Sequence, residues 1–295
     1  MSAPTAMRIA GAPITWGVCE VPGWGLQLEP DLVLQEIASA GLTATELGPR
    51  GFLATEPAAT RAQLASHGLT LVAGFVPAVL HRASMLDEQL QLVEESARTL
   101  AGAGAEILVL AAETGSVGYE SSLALNDDEW ETFRRGVAAV EQIGTRHGLI
   151  VALHPHYGTL IESDAQVRRL LETTSVPLCL DTGHLLVGGS DPFQIAKLAA
   201  ERIAHVHLKD VDASMARRVR AGEIGYRDAV RDGLYRPLGE GSAEIESIVR
   251  LLSDSGYAGW YVIEQDLVIG THVDAAGPLE NATRSVRFLQ RVAAS

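Results

Sequence analysis

Eight short apolar runs, each followed by a longer amphipathic stretch, set the tightest limit on how this chain can fold. The runs are Arg8–Pro13, Thr43–Leu47, Thr70–Val76, Glu106–Ala111, Leu149–His154, Val176–Asp181, Ile203–Lys209 and Gly259–Gln265. Helical periodicity is read near 30–40, 57–67, 83–102, 126–147, 163–173, 191–201 and 243–255, with a last helix at 277–293. Alternation of strand and helix implies a parallel sheet. Parallel strands are covered on both faces and read as continuous apolar runs, as Ile107-Leu108-Val109-Leu110 does. Eight such units fit a closed barrel better than an open sheet, so the α/β fold expected is a single (β/α)8 TIM barrel, one domain over residues 7–293. The 295 residues suffice for it, since α/β barrels of this size form one domain. No glycine-rich phosphate loop follows the first run, which disfavours a dinucleotide-binding sheet.

The punctuation agrees with this pattern. Gly41, Gly68, Gly148 and Gly256 each stand where a helix turns into the next strand and a left-handed residue is wanted. His67 and His147 fall in last helical turns and read as caps of the orphan carbonyls. Asp31, Asn126, Ser163 and Asp191 read as N-caps, with Pro192 at a first helical position. The longest connection, 212–241, follows the seventh run. It contains a helical stretch at Met215–Glu223, and its length predicts a lid-like insertion over the barrel mouth.

Charge narrows the function. Lys and Arg total 23 against 37 Asp and Glu, a net charge of −14. Such a balance opposes binding of nucleic-acid phosphates or anionic membrane surfaces, and leaves small neutral substrates and cations. Two cysteines, Cys19 and Cys179, form no disulfide framework or CxxC metal motif. With no leader pattern in Met1 to Ala6 and no uninterrupted apolar span, a cytoplasmic location is expected. The sequence leaves a homo-oligomer open.

Barrel enzymes carry their chemistry at the C-terminal ends of the strands. Here those ends hold Glu46, His154-Pro155-His156, Asp181-Thr182-Gly183-His184, His205-Val206-His207-Leu208-Lys209-Asp210 and Glu264-Gln265-Asp266. Five of the nine histidines lie at the ends of runs five, six and seven. Period-two alternation puts His205 and His207 on one face, and Cys179 with Asp181 on the inward face. Inward carboxylates need a partner cation, so neighbouring strands ending in His, Asp and Glu point to one divalent ion with nitrogen and oxygen ligands. The alternative is a hydrogen-bonded network without metal. His207 is preferred as ligand over His205, which sits one step deeper and reads as a core histidine bonded to a neighbour. His81 reads as a loop cap, and His272 has no assignable role.

These segments resemble the xylose isomerase-like barrel superfamily of sugar isomerases, epimerases and dehydratases, and within it the inosose dehydratases of inositol catabolism. The resemblance rests on Pro13-Ile14-Thr15-Trp16, Thr45-Glu46-Leu47-Gly48, His154-Pro155-His156-Tyr157-Gly158-Thr159, Leu180-Asp181-Thr182-Gly183-His184-Leu185, Gly188-Gly189-Ser190-Asp191-Pro192, His205–Asp210 and Gly259–Asp266. It implies one divalent metal held by Asp181, His207 and Glu264. The strand-five ligand, usually glutamate in the superfamily, is then His154, with His156 as the alternative. Imidazole in place of carboxylate favours Mn or Co, with Zn, Fe and Mg as further options. After Glu264 the chain runs directly into Gln-Asp, where inosose dehydratases often carry two extra residues.

The same resemblance implies a small polyhydroxylated keto-cyclitol or keto-sugar as substrate. Dehydration begins with proton loss next to the carbonyl, passes through a metal-stabilised enediolate, and ends with loss of the β-hydroxyl. Glu46, His156 and Lys209 are the candidate bases and His184 or His156 the candidate acids, with Lys209 also able to stabilise negative charge or to pair with Asp210. Trp16 and Phe75 are expected along the apolar ring face or as barrel packing, and Tyr235 and Arg236 over the hydroxyls. The runner-up is a metal-dependent ketose epimerase or isomerase on the same site. An abasic-site endonuclease shares this barrel but needs three metals and a basic face, against which the charge of −14 counts.

Overall fold

The computed structural model describes residues 7–271 and 277–294; His272 lies outside them. In chain order the strands are β1 (Arg8–Gly11), β2 (Ala44–Glu46), β3 (Thr70–Ala78), β4 (Ile107–Ala112), β5 (Ile150–His154), β6 (Leu178–Asp181), β7 (Ile203–Leu208), β8 (Asp210–Val211), β9 (Tyr235–Arg236) and β10 (Trp260–Ile263). Eight of them, β1 to β7 and β10, close into a parallel barrel in which β10 pairs with both β1 and β7. This is the expected (β/α)8 barrel. The helices are α1 (Pro30–Ser39), α2 (Pro57–Ser66), α3 (Leu86–Ala103), α4 (Asp127–His147), α5 (Asp164–Thr173), α6 (Thr182–Gly188), α7 (Pro192–Leu198), α8 (Ala213–Arg220), α9 (Tyr226–Arg231), α10 (Ile245–Asp254) and α11 (Gly277–Ala294).

Two cores follow from the alternation of side chains along each strand. Outward residues such as Leu108, Leu110, Leu153 and Val206 pack against the helices. The barrel interior is narrower and takes small residues, among them Ala10, Ala44, Ala73, Ala152 and Cys179. Cys179 thus faces inward, as the period-two reading expects. Register shifts between Thr45 and Glu46 and between Leu178 and Cys179 are the bulge-like irregularities that re-aim side chains at a barrel rim.

Helix ends follow the expected chemistry in part. Asn126 and Ser163 form full capping boxes, and Asp191 caps α7. Asp31 is not a cap: Pro30 occupies the first helical position, so Glu29 becomes the N-cap residue and Asp31 lies in the first turn. The rings of His67 and His147 do not cap carbonyls but reach across to the Asp31 and Glu94 carboxylates. The four turn glycines all take positive φ.

The segment after the seventh strand is an ordered structure rather than a bare loop. Its helix starts earlier than expected, at Ala213, because the Asp212 side chain accepts from the Ser214 and Met215 N–H groups. A short antiparallel pair, β8 with β9, closes the base of the segment. The Asp210 carboxylate accepts four backbone N–H bonds, from Val211, Gly239, Gly241 and Ala243, at 2.9–3.0 Å. Asp210 is therefore committed to the backbone, and Lys209 pairs elsewhere. Among the described residues no helix is long and apolar enough to cross a membrane.

Candidate functional site

β6 and β7 lie side by side with Asp181 opposite His207, and the chain continues from β10 into Glu264, whose N–H donates to the Leu208 carbonyl. Asp181 is the N-cap of α6. Its Oδ1 accepts the His184 N–H at 2.7 Å, while Oδ2 faces His154 Nε2 at 3.1 Å and His207 Nδ1 at 3.5 Å. One oxygen is thus fixed by a helix end and the other is presented to the barrel mouth. Thr182 Oγ1 bridges the backbone of Lys209 and locks the ends of β6 and β7 together. Gly183 permits this closeness, since a Cβ there would meet Lys209 Cβ at 2.5 Å.

Donor atoms of Asp181, His207 and Glu264 lie within 4.8 Å of one another, all buried. His207 Nε2 is bonded to Glu46 Oε1 at 2.9 Å, and the same oxygen takes His205 Nε2 at 2.8 Å. His205 is accordingly a core histidine bonded to a neighbour. With Nε2–H given to Glu46, His207 turns its other ring nitrogen, Nδ1, toward the two carboxylates. That nitrogen is buried without a hydrogen bond and stands 3.1 Å from Glu264 Oε2. A carboxylate behind the ring of a ligating histidine is the usual arrangement at metal centres.

The buried charge points the same way. Four carboxylates, Glu46, Asp181, Glu264 and Asp266, are each no more than 5% exposed. Burial pushes the His207 ring down, but Cys179, Glu264 and Glu46 outweigh it and hold it well above its ordinary value. Burial likewise opposes the Lys209 ammonium, and Asp181, Asp266 and Glu264 prevail. Desolvation depresses His154, His156, His184 and His205, which are neutral. Four negative groups therefore face two positive ones. This deficit and the orphaned Nδ1 are what a divalent cation with mixed nitrogen and oxygen donors would satisfy. The donor set fits such an ion, with Asp181, His207 and Glu264 as its core.

Of the two strand-five histidines, His154 lies beside Asp181. His156 turns away: its Nδ1 is 2.7 Å from the Tyr157 carbonyl, and its ring stacks on His184 at 3.6 Å between centroids. With Nδ1 protonated to that carbonyl, His156 keeps Nε2 as an acceptor. Lys209 Nζ lies 2.8 Å from Asp266, 2.9 Å from His184 Nε2 and 3.1 Å from Glu264. Burial raises the Asp266 carboxyl to about 6 against the pull of Lys209.

A cavity of about 290 Å³ opens over this cluster. Its lining mixes polar groups, His154, His156, His207, Lys209, Glu264 and Asp266, with apolar surface from Ile14, Val18, Trp24, Phe75 and Val76. Glu46 also lines it. Phe75 stands edge-on to His154. The other expected substrate contacts do not line the cavity. Trp16 is fully buried and donates to Glu36 at 2.7 Å, so it packs α1 onto the barrel. His184 stands behind His156. Tyr235 is buried beneath Lys209, and Arg236 pairs with Asp212 at 3.2 Å. Sequence reasoning gave no role to Asp266, Tyr119 or Tyr226. Tyr226 donates to Asp266 at 3.2 Å and meets the Tyr235 hydroxyl at 2.9 Å. Tyr119 packs on His156 with centroids 4.3 Å apart. No local motif marks either tyrosine.

Comparison with known proteins agrees with this architecture. The family model for the xylose isomerase-like TIM barrel matches residues 34–292. An inosose dehydratase of Geobacillus kaustophilus (strain HTA426) is 32% identical over 270 residues, covering 88% of this chain and 87% of that protein. The rhizopine catabolism protein MocC of Rhizobium meliloti is 31% identical over 300 residues, covering 98% and 90%. Among solved structures, the IolI protein with a bound zinc atom superposes with a TM-score of 0.70 at 14% identity, covering 97% of this chain and 98% of that one; at that identity the likeness speaks for the fold. On this family match over most of its length, the chain belongs to the xylose isomerase-like TIM barrel family.

Proposed function

We propose that this protein is a hydro-lyase that dehydrates a keto-cyclitol of the inosose type. The observation that carries the reading is the Asp181–His207–Glu264 cluster beneath a cavity lined by both polar and apolar groups. A cyclitol ring with equatorial hydroxyls has apolar C–H faces and a polar rim, which suits such a cavity. Of the relatives named above, the first is an inosose dehydratase and the second a rhizopine catabolism protein.

Asp181, His207 and Glu264 would hold one divalent ion, with His154 as the fourth donor. Mn or Co is preferred, because two imidazoles with two carboxylates make a softer and less anionic shell than Mg selects. A bound ion supplies Lewis-acid polarisation of the substrate carbonyl. The protein's own groups do the rest. His156 Nε2 takes the proton from the carbon next to the carbonyl. The Lys209 ammonium stabilises the developing negative charge and gives a proton to the departing β-hydroxyl, which leaves as water. The product is an enol that rearranges to a dione. Lys209, held charged by its carboxylates, serves as acid rather than base. Glu46 accepts two histidine N–H bonds and acts through His207 as a positioning residue. His184 supports His156 and Lys209 from behind. Residues 7–293 form one domain in this reading, with 212–241 as the lid of the site.

The test is incubation of the Mn- or Co-loaded protein with a keto-cyclitol and ketose panel in deuterated water, followed by NMR. Loss of water from scyllo-inosose is expected. Deuterium uptake with every hydroxyl retained would overturn dehydration in favour of epimerisation on the same site.

A further inference from the structure

Lys209 occupies an unusual position. Its ammonium lies 3.1 Å from Glu264 and 3.5 Å from Asp181, two of the three donors grouped for a divalent ion. It is also 2.8 Å from Asp266, which belongs to no such group among the described residues. Asp266 is held from the other side by the Tyr226 hydroxyl, and Tyr226 is braced by Tyr235, whose ring lies under the Lys209 ammonium at 5.5 Å. The lysine stem is fixed near its base, where Gly183 leaves no room for even a methyl group beside Cβ. Only its end is free to choose between carboxylates.

Asp181 and Glu264 would hold a divalent ion through the same carboxylate oxygens that face the ammonium. Such an ion would compete with the ammonium for those oxygens and repel it in a buried, poorly screened space. Asp266 gives the displaced charge a partner in place, so that no buried ammonium is left bare.

We propose that the Lys209 ammonium is an internal competitor that holds the cation position until a divalent ion loads, and that Asp266, fixed by Tyr226, is the anchor to which it then withdraws. This rests on the metal reading of the Asp181–His207–Glu264 cluster. It makes Asp266 and Tyr226 positioning residues for metal loading, a role separate from touching substrate.

The experiment measures Mn²⁺ and Co²⁺ affinity of the intact protein by calorimetry against a competing chelator, with no substrate present. Lys209→Met should bind either ion roughly tenfold more tightly than wild type, a size typical of coupling within one charged network. Asp266→Asn should bind roughly tenfold more weakly, because the ammonium has lost its alternative partner. In the Lys209→Met background the same Asp266→Asn change should alter affinity less than about twofold. Tyr226→Phe should move affinity in the direction of Asp266→Asn. Unchanged or weaker binding by Lys209→Met overturns the proposal, as does an Asp266→Asn effect that persists without the lysine. Failure of wild type and Lys209→Met alike to bind any divalent ion overturns instead the metal reading beneath it.

Discussion

Replacing Glu46 by Gln isolates how the barrel aims His207, the proposed ligating histidine. Glu46 Oε1 takes Nε2–H bonds from His205 and His207 at 2.8 and 2.9 Å, and all three side chains are buried. Burial pushes the Glu46 carboxyl up, yet His207 and the two hydrogen bonds pull it far below its ordinary range. A hydrogen bond to a charged group contributes about 1.5–3 kcal/mol and one between neutral groups about 0.5–1.5. The amide therefore weakens the His207 bond by about 1–2 kcal/mol. That loss passes to Nδ1, the atom facing Asp181 and Glu264, as poorer aim and lower basicity. Metal affinity should fall about 5- to 30-fold, in line with the range seen for carboxylates behind ligating histidines. Calorimetry with Mn²⁺ and Co²⁺ on wild type and Glu46→Gln measures it directly. At saturating metal, α-proton exchange should stay within about tenfold of wild type, since a base role would cost roughly 10²–10⁴. Metal affinity within twofold of wild type would refute the positioning role. Normal affinity with exchange lost would transfer the role of base from His156 to Glu46.

Other expectations follow from the same geometry. His154→Ala should lower metal affinity about 10- to 100-fold, while His156→Ala should leave it near wild type and lower α-proton exchange by about 10²–10⁴; the reverse pattern in a metal titration would make His156 the ligand. His154→Glu should keep a metal and move the preference toward Mg, read by activity with each ion in turn. Burial, with Glu20 nearby, raises the Glu113 carboxyl to about 7 from an ordinary 4.5. The folded state then holds this proton more tightly, so wild type loses stability as pH rises from about 4.5 to 7. Glu113→Gln should match wild type at pH 4.5 and exceed it by about 1–2 kcal/mol at pH 8, after allowing for solvent screening; equal urea midpoint differences at both pH values would sink this. Gly158→Ala should destabilise by about 1–3 kcal/mol in urea, because φ is +77° and the new Cβ would meet the Tyr119 backbone at 2.5 Å.

The barrel strands were legible because eight apolar runs at helix-separated spacing admit few other closed arrangements. The pieces that escaped were short or held from a distance. Helix α6 has seven residues and forms because Asp181 caps it and its residues pack into the mouth. The β8–β9 pair has two residues per strand and depends on contacts twenty or more residues away. At the site, strand-end position was enough to bring Asp181, His207, Glu264 and His154 together. It failed for Trp16, since nearness to a strand end does not fix the face an aromatic takes, and the indole found a partner on α1. It failed also for Tyr226, because a tyrosine on a helix in the longest connection gives no sign of an aspartate forty residues later.

The Asp210 clasp has a consequence for how activity of this kind diversifies. Both ends of the segment between residues 212 and 241 leave the barrel at one point, where a single carboxylate ties Gly239, Gly241 and Ala243 back to the end of the seventh strand. Everything between those ends is one continuous stretch of chain, and it delivers Tyr226 and Tyr235 to the neighbourhood of Lys209 and Asp266. An exchange of the segment would have to match its packing on Trp24 and Tyr119 and its hydrogen bonds to Glu120. A transplant cut at the clasp would carry new partners for Lys209 and Asp266 into the host while leaving Asp181, His207 and Glu264 on the strand ends unaltered, so the surroundings of the lysine and the strand-end cluster can evolve on separate pieces of one gene.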